Sequence, residues 1–316
     1  MKHFLEENNF TNNEIENIFS YAFEYKKCRK NRPTNELKGQ SWGMLFYKNS
    51  TRTRVSFEVG IREMGGNPIL LDLSSTQIGR GESIQDTAKV LSRYLDGLII
   101  RTHGHNLIQE FSNHAEIPVV NALTDFLHPC QIYSDCMTLL ENFGTSQNPL
   151  NDLAGKKLAF FGDTSCNMAN SWILAGALWG LDIWLCGPEE FKPGKDIQNY
   201  CDLHDLPKNW HFTTDCKEAA QNADVIYTDV WVSMGCEEEK NERMNKMSSF
   251  QINNFLFEYA KENAFFMHCM PAHPGEEVTE EVLLSPRSIM FDQAENRLHM
   301  QKAVLKQLAI RNNKDL

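Results

Sequence analysis

The chain has 316 residues, of which 41% are hydrophobic and 23% are charged, and 42 acidic against 31 basic side chains leave a formal net charge of −11. This composition is typical of a folded globular protein and excludes wholesale disorder. The negative charge argues against nucleic acid or an anionic membrane as the main partner, so an anionic ligand would need a local basic pocket. The longest apolar runs, such as residues 97–100, are far shorter than the ~20 residues of a membrane span.

The cysteines and the first residues of the chain indicate the cellular compartment of the protein. The nine cysteines include no Cys-x-x-Cys pair, so the sequence shows neither a zinc knuckle nor a thioredoxin-like motif. An odd number of cysteines in a chain of this size favours a reducing compartment over a disulfide framework. Glu6 and Glu7 stand where a signal peptide would be apolar. We therefore expect a cytoplasmic protein.

Short apolar runs alternate with segments of helical periodicity along the whole chain. Ten runs rich in Ile, Val, Leu, Phe and Trp predict strands, at residues 42–47, 68–73, 97–101, 118–121, 157–162, 182–186, 210–213, 225–230, 264–268 and 288–291. Between the first two runs, Phe57, Ile61 and Met64 fall on one helical stripe that Gly65 ends. Further helices are expected at 132–141 and 293–311. The alternation predicts an α/β fold of βαβ units with mainly parallel sheets.

A change of pattern near residue 145 predicts a domain boundary. A polar stretch at residues 144–152 follows the predicted helix 132–141, and the strand at 157–162 opens a second alternating series. Length alone predicts two domains at about 150 residues each. We therefore expect one domain at 1–145 and another at 146–292, followed by the last helix at 293–316.

Polar clusters follow several of the predicted strands. In an open parallel sheet the ligand site lies beyond the carboxyl ends of the strands, so these clusters are the first candidates for a functional site. They are residues 48–54, 101–103 and 128–131 in the first half, and residues 163–167, 228–229 and 268–269 in the second.

The segment Ser50-Thr51-Arg52-Thr53-Arg54 lies between a strand and a helix start. Hydroxyl groups, guanidinium groups and the free N–H groups of a helix N-terminus together suit a phosphate. The alternative is an exposed basic turn with N-capping hydroxyls. The segment is not a Walker motif, since Gly-x-x-x-x-Gly-Lys-Ser/Thr is absent.

A second group consists of Arg101, His128 and Gln131. An imidazole and a guanidinium can polarise a carbonyl oxygen, while a glutamine side chain can hold an amide. The alternative for a single histidine is a hydrogen-bonded residue of the core.

Two segments of the second half add further candidates. Asp229 and the turn Ser233-Met234-Gly235 could bind an ammonium group and close over it, or could serve as a helix N-cap. His268 beside Cys269 suggests a nucleophile. Because adjacent residues of a strand point to opposite faces, we expect no simple Cys–His dyad, and we favour a positioning or electrostatic role for Cys269.

Taken together, these segments resemble the aspartate/ornithine carbamoyltransferase family, from about Glu36 to Leu308. The resemblance is carried in family order by residues 46–58, which resemble the carbamoyl-phosphate signature, and by 77–84, 86–93, 128–131 and 292–297. Within the family, residues 229–235 (Asp-x-x-x-Ser-Met-Gly) and 268–271 (His-Cys-Met-Pro) are similar to the ornithine branch.

The resemblance implies two doubly wound parallel-sheet domains with the active site in the cleft between them, and a last helix that packs back on the first domain. It implies transfer of the carbamoyl group from carbamoyl phosphate to L-ornithine, giving citrulline and phosphate, in arginine metabolism. It implies no metal and no organic cofactor. The implied partners are the two substrates and further copies of the chain, in a homotrimer or a multiple of trimers.

The resemblance also implies roles for individual residues. The catalytic residues would be Arg101, His128, Cys269 and Arg297. The carbamoyl-phosphate ligands would be Ser50, Thr51, Arg52, Thr53, Gln77 from a neighbouring subunit, Arg101, His128, Gln131, Cys269, Met270 and Arg297. The ornithine ligands would be Asn167, Asp229, Ser233 and Met234.

Three other functions stay open at this point. Phe160-Phe161-Gly162-Asp163 after a strand suggests a Rossmann-type dehydrogenase, although Gly-x-Gly-x-x-Gly is absent. A non-catalytic regulatory relative would bind a partner, but it would not need an arginine and histidine set around a carbonyl. A carbamoyltransferase for another amine, such as putrescine, differs in its substrate. The sequence does not distinguish a biosynthetic from a degradative direction.

Overall fold

The computed structural model describes residues 2–29, 34–72, 81–144, 149–232 and 240–312. The chain divides into two compact units: unit 1 comprises residues 1–137 and 295–316, and unit 2 comprises residues 138–294. These limits lie within eight residues of the domain limits expected from the sequence, at about 145 and 292.

Unit 1 contains a parallel four-stranded sheet. Among its described residues the strand order is β2-β1-β3-β4, and every neighbouring pair is parallel. The elements in chain order are α1 (Asn12–Cys28), β1 (Ser41–Phe46), α2 (Thr51–Glu63), β2 (Asn67–Asp72), α3 (Ile84–Leu91), β3 (Gly97–Arg101), α4 (His105–His114), β4 (Val119–Leu123) and α5 (Pro129–Phe143), whose last residues belong to unit 2.

Unit 2 contains a parallel five-stranded sheet. Among its described residues the strand order is β7-β6-β5-β8-β9, again with parallel neighbours throughout. The elements are β5 (Lys157–Phe161), α6 (Asn167–Trp179), β6 (Asp182–Cys186), α7 (Lys195–Leu203), β7 (Trp210–Thr213), α8 (Cys216–Ala220), β8 (Val225–Thr228), α9 (Lys240–Met247), α10 (Asn254–Phe257), β9 (Phe265–His268), α11 (Glu280–Leu283) and α12 (Met290–Asn312), most of which belongs to unit 1.

The predicted α/β fold with two doubly wound parallel sheets is confirmed. In each sheet the strand order runs outward in both directions from a central pair, β1 and β3 in unit 1 and β5 and β8 in unit 2. The central strands are apolar almost without interruption, since four of five residues are buried in both β3 and β5. Strands that are covered by helices on both faces have this continuous apolar pattern.

The tenth predicted strand, at 288–291, is wrong. Ser288 forms only an isolated parallel bridge with Phe266, and α12 begins two residues later, at Met290. Met290 and Phe291 therefore lie in the first turn of a helix that starts three residues earlier than the sequence predicted. Periodicity does not separate a strand from a helix over four residues.

The long helix α12 is bound to α1 and α2 within unit 1. Lys302 Nζ donates to Glu63 Oε2 at 2.9 Å, and its stem lies against Gly60, where an added Cβ would come within 3.1 Å of Lys302 Cγ. Arg311 donates to both carboxylate oxygens of Glu14. Burial opposes ionisation of Glu14, but the bonds that it accepts from Arg311 and Thr11 lower its pKa to about 2. This end of the chain therefore contributes a charged contact to the stability of unit 1.

Among the described residues, no helix combines the length and apolar character that crossing a membrane requires.

Candidate active site

The strand orders place one candidate site in each unit. The order of connection reverses between β1 and β3 in unit 1 and between β5 and β8 in unit 2, and ligands of open α/β sheets bind beyond the carboxyl ends of the strands at such a switch point. Ser50 follows β1 and Arg101 is the last residue of β3; in unit 2, Asn167 follows β5 and Asp229 follows β8. Four predicted site residues therefore lie at the two switch points.

The segment Ser50–Thr53 forms the N-terminus of α2. Ser50 is the N-cap, and its Oγ accepts a hydrogen bond from Thr53 N at 3.3 Å. Thr53 is buried, Arg52 is half-buried and Thr51 is exposed. The first N–H groups of a helix have no partner within the helix and carry its positive dipole end. Together with the Arg52 guanidinium, they make this helix start suited to an anion.

Arg297 connects this helix start to α5. Its side chain is buried, with 4% of the residue exposed. It donates through Nη2 to Thr53 Oγ1 at 3.2 Å and through Nη1 to Gln131 Oε1. Gln131 in turn donates through Nε2 to the buried carboxylate of Asp135 at 2.7 Å. A guanidinium carried by α12 thus orients both the Thr53 hydroxyl and the Gln131 side chain.

His128 lies in the same candidate site of unit 1, as a neutral imidazole. It is 5% exposed and precedes the first residue of α5. Burial lowers the pKa of His128 well below its ordinary value, and the positive charges of Arg297 and Arg101 lower it further. A neutral imidazole keeps one N–H, which can donate to a carbonyl oxygen without adding a positive charge beside Arg297 and Arg101.

In unit 2, Asp229 and Cys269 are joined by a hydrogen bond. Cys269 Sγ donates to Asp229 Oδ1 at 2.9 Å, and Val230 N donates to the same oxygen at 2.7 Å. Both residues are half-buried, as is Asn167, the first residue of α6. The carboxylate is therefore held in one orientation at the end of β8, where it can meet a cationic group.

His268 and Cys269 bond to different partners. His268 Nδ1 accepts from Met270 N at 2.8 Å, so its proton is on Nε2, which lies 3.1 Å from Glu277 Oε1. These bonds hold Met270 at φ +61°, a left-handed conformation that costs a non-glycine residue roughly 1 kcal/mol or more. The chain is thus fixed where it turns away from β9.

The expectation that strand alternation separates His268 from Cys269 needs correction. β9 ends at His268, so the alternation does not extend to Cys269, and ligand atoms of Asp229, His268 and Cys269 all lie within 4.8 Å of one another. The thiol nevertheless donates to Asp229 and the imidazole bonds to Glu277. The two side chains are close, but their hydrogen bonds run to different carboxylates.

Two clusters of described residues offer three ligand-type atoms to a cation: Asp229 with His268 and Cys269, and His273 with Glu276 and Glu277. In the first cluster both ring nitrogens of His268 already take part in hydrogen bonds. Coordination by His268 would therefore break one of two buried bonds, so this arrangement favours hydrogen bonding over metal binding.

The comparisons with known proteins agree with this geometry. The family model described as "Aspartate/ornithine carbamoyltransferase, carbamoyl-P binding domain" matches residues 2–141. The model described as "Aspartate/ornithine carbamoyltransferase, Asp/Orn binding domain" matches residues 154–308. This chain belongs to the aspartate/ornithine carbamoyltransferase family.

Individual relatives point to the ornithine branch. The chain is 46% identical over 296 residues to an ornithine carbamoyltransferase of Methanoculleus marisnigri, with 93% of each chain covered. It superposes on the ornithine carbamoyltransferase of Pyrococcus furiosus with a TM-score of 0.88 and 41% identity, covering 96% of each chain. The anabolic ornithine carbamoyltransferase of Campylobacter jejuni gives a TM-score of 0.87 at 35% identity, covering 98% of this chain and 99% of that one.

Two acidic side chains of the site region were missed by the sequence reasoning. Asp135 is fully buried and holds Gln131 from one helical turn away, and Glu277 is fully buried and holds His268. The i, i+4 spacing of Gln131 and Asp135 is a usable signal. Glu277 lies among several acidic residues, and only its burial distinguishes it.

Three predicted ligands lie outside the described residues. They are Gln77, within 73–80, and Ser233 and Met234, within 233–239.

Proposed function

We propose that this protein transfers the carbamoyl group of carbamoyl phosphate to the side-chain amine of L-ornithine, giving L-citrulline and phosphate. The observation that carries the proposal is the buried Arg297, which bonds to Thr53 at the anion-binding helix start and to Gln131. The same guanidinium lowers the pKa of the neighbouring His128. This set can hold an acyl phosphate by its phosphate, its amide and its carbonyl oxygen.

The phosphate and amide ends of carbamoyl phosphate have separate partners in this proposal. The phosphate dianion binds at the start of α2, where charge-assisted hydrogen bonds are each worth roughly 1.5–3 kcal/mol. Gln131 binds the carbamoyl amide. The proposed ligands are Ser50, Thr51, Arg52, Thr53, Gln77, Arg101, His128, Gln131, Cys269, Met270 and Arg297.

The carbonyl oxygen gains negative charge when the amine attacks, and Arg101, His128 and Thr53 stabilise that charge. His128 donates its single N–H as a neutral imidazole, because burial and two neighbouring guanidinium groups disfavour its protonation. Removing one preorganised donor of this kind costs roughly 2.7–4 kcal/mol of transition-state stabilisation.

Ornithine binds to Asn167, Asp229, Ser233 and Met234 in this proposal. Asp229 pairs with the α-ammonium group, since its carboxylate is held by Cys269 and Val230 at the end of β8. The attacking amine has an ordinary pKa near ~10 and must lose its proton before it attacks. Desolvation lowers the pKa of a buried amine, and the departing phosphate can take the proton released by the tetrahedral intermediate.

The deciding experiment measures steady-state rates with carbamoyl phosphate and each of four amines: L-ornithine, N-acetylornithine, putrescine and L-aspartate. We expect citrulline formation with ornithine and a kcat/KM at least about a hundredfold lower with putrescine, which leaves the half-buried Asp229 carboxylate without its partner. A higher kcat/KM with putrescine would assign the protein to another amine. Turnover with none of the four would contradict a carbamoyltransferase function.

We also propose a cytoplasmic homotrimer, or a multiple of trimers, that acts in arginine biosynthesis without a metal or organic cofactor. In this assembly Gln77 serves the phosphate site of a neighbouring subunit. Mixing Gln77→Ala with Arg52→Ala protein should restore part of the activity, because some sites then draw both intact residues from different chains. No recovery after confirmed subunit exchange would contradict the shared site, and a rate lost on dialysis against a chelator would contradict metal independence.

A further inference from the structure

Arg243, the fourth residue of α9, has no role in the assignments above, yet it connects two segments of unit 2 that lead to the proposed ornithine ligands Asn167 and Asp229. Its Nη1 donates to Asp163 Oδ2 at 2.8 Å and lies 3.5 Å from the carbonyl oxygen of Trp231. The side chains of Arg243 and Asp163 are 14% and 9% exposed. A charge pair this far removed from water is screened less than a surface pair.

Asp163 organises the turn that leads to Asn167. Its Oδ1 accepts from Ser165 N at 3.0 Å and from Ser165 Oγ at 2.6 Å, which is an Asx-turn. The other oxygen of this carboxylate, Oδ2, accepts the hydrogen bond from Arg243. The carboxylate therefore fixes the turn with one oxygen and is itself fixed from α9 with the other.

Trp231 belongs to the second of the two segments, and its ring packs against the turn that begins at Gly162. Trp231 is 2% exposed, and a Cβ added at Gly162 would come within 3.1 Å of its ring. Gly162 has φ +110°, so both the backbone conformation and the close approach require glycine. Asp229 lies two residues before Trp231, so the position of Asp229 is coupled to the turn at Asp163.

A third contact completes the support of the guanidinium. The Arg243 guanidinium lies 4.9 Å from the centre of the Phe191 ring. Thr164 Oγ1 donates to the carbonyl oxygen of Phe191 at 2.6 Å. The Arg243 guanidinium thus contacts the Asp163 carboxylate, the Trp231 carbonyl oxygen and the Phe191 ring. Asp163 and Trp231 belong to the segments at 162–165 and 229–231, and Phe191 is hydrogen-bonded to the first of these segments.

We propose that Arg243 is a positioning residue that sets the spacing between Asn167 and Asp229 and so determines the affinity for ornithine. The proposal rests on the proposed function, since it assigns those two residues to the amino-acid end of the substrate. Arg243 itself does not contact substrate. Its effect is therefore expected in ornithine binding and not in the binding of carbamoyl phosphate, whose phosphate ligands lie in unit 1.

The test compares three variants with the wild-type protein. Arg243→Ala removes every contact, Arg243→Lys keeps a charge without the planar fork, and Asp163→Asn removes the ion pair while its Oδ1 can still accept from Ser165. Lys246→Ala is the matched control, because Lys246 lies on the same helix and pairs with Glu190 and Glu242.

We expect Arg243→Ala and Asp163→Asn to raise the KM for ornithine about tenfold or more, with a smaller change in kcat and less than about a twofold change in the KM for carbamoyl phosphate. The inhibition constant of L-norvaline, which keeps the amino-acid end and lacks the side-chain amine, should rise in parallel. The double variant should resemble Arg243→Ala, because that variant already removes the ion pair that Asp163→Asn breaks. Lys246→Ala should leave all of these constants unchanged.

Several outcomes would overturn the proposal. If the wild-type protein forms citrulline and Arg243→Ala and Asp163→Asn keep the wild-type KM for ornithine, Arg243 does not position the site. An equal rise in both KM values, accompanied by a fall in the melting temperature, would indicate a structural role alone. If Arg243→Ala does not fold, Asp163→Asn and Arg243→Lys decide by the same criteria. A wild-type protein without citrulline formation would instead contradict the proposed function.

Discussion

Replacing Asp229 by asparagine removes one negative charge from unit 2 and leaves the shape of the side chain unchanged. In the structure, Asp229 Oδ1 accepts from Cys269 Sγ at 2.9 Å and from Val230 N at 2.7 Å. An asparagine Oδ1 can accept both of these bonds. The substitution therefore isolates the charge that the proposed function assigns to the ornithine α-ammonium.

The magnitude follows from the loss of a charged partner. A hydrogen bond to a charged group contributes about 1.5–3 kcal/mol, and the upper value suits a carboxylate whose position two bonds already fix. Each 1.36 kcal/mol changes a rate constant by about a factor of ten. We therefore expect kcat/KM for ornithine to fall about a hundredfold, while the binding of carbamoyl phosphate measured alone scarcely changes.

The assay measures citrulline formation at varied ornithine and separately titrates carbamoyl phosphate. Asp182→Asn is the matched control, because Asp182 is a half-exposed acid of the same unit that accepts from Trp184 Nε1. Wild-type kinetics in Asp229→Asn would remove this carboxylate from the site. A loss of carbamoyl-phosphate affinity with intact ornithine binding would refute the assignment of Asp229 to ornithine.

Three further changes test unit 1. Arg52→Ala should weaken carbamoyl-phosphate binding by roughly 1.5–3 kcal/mol, as measured by titration, with an unchanged melting temperature. Arg297→Met removes a positive charge that lowers the pKa of His128, so an NMR titration should show that pKa rising toward its ordinary value. Glu14 has a folded-state pKa of about 2, so its contribution is complete above its ordinary pKa of 4.5 and is lost as pH falls toward 2. The pH dependence of the free energy of unfolding in that window should be weaker in Glu14→Gln.

Each of these tests has a control or a contrary outcome. Arg62 lies on the same helix as Arg52 and forms an exposed ion pair with Glu58. Arg62→Ala removes this pair and should leave substrate binding unchanged. A His128 pKa that stays low in Arg297→Met would show that burial alone sets it. An equally steep loss of stability in Glu14→Gln would mean that other acids dominate the acid unfolding.

Local sequence patterns determined most of the elements. Nine of the ten predicted strands overlap a described strand, because short runs rich in apolar and β-branched residues between helical segments are encoded by neighbouring residues. The start of α2 could likewise be predicted from the sequence, since the Ser50 side chain caps the helix by accepting a hydrogen bond from Thr53 N. The strand predicted at 288–291 is wrong because periodicity over four residues does not distinguish a strand from the start of a helix.

Strand order and side-chain partners depended on the tertiary structure. No local pattern shows that β1 and β3 are neighbours, and it is their adjacency that places Arg101 near the segment at 50–53. Arg297 reaches Thr53 across 244 residues of sequence, and Arg243 reaches Asp163 across 80. The resemblance named Arg297 as a site residue, but its bonds could not be derived from spacing.

The electrostatic state of the site depended on the fold in the same way. A histidine at position 128 is consistent with a charged or a neutral ring, and only burial beside two guanidinium groups makes it neutral. The side chains of Asp135 and Glu277 likewise became site supports only once their burial and partners were known. Periodicity and capping are properties of adjacent residues, so the sequence alone could specify them. Pairing and desolvation arise between segments far apart in the chain, and they therefore required the folded molecule.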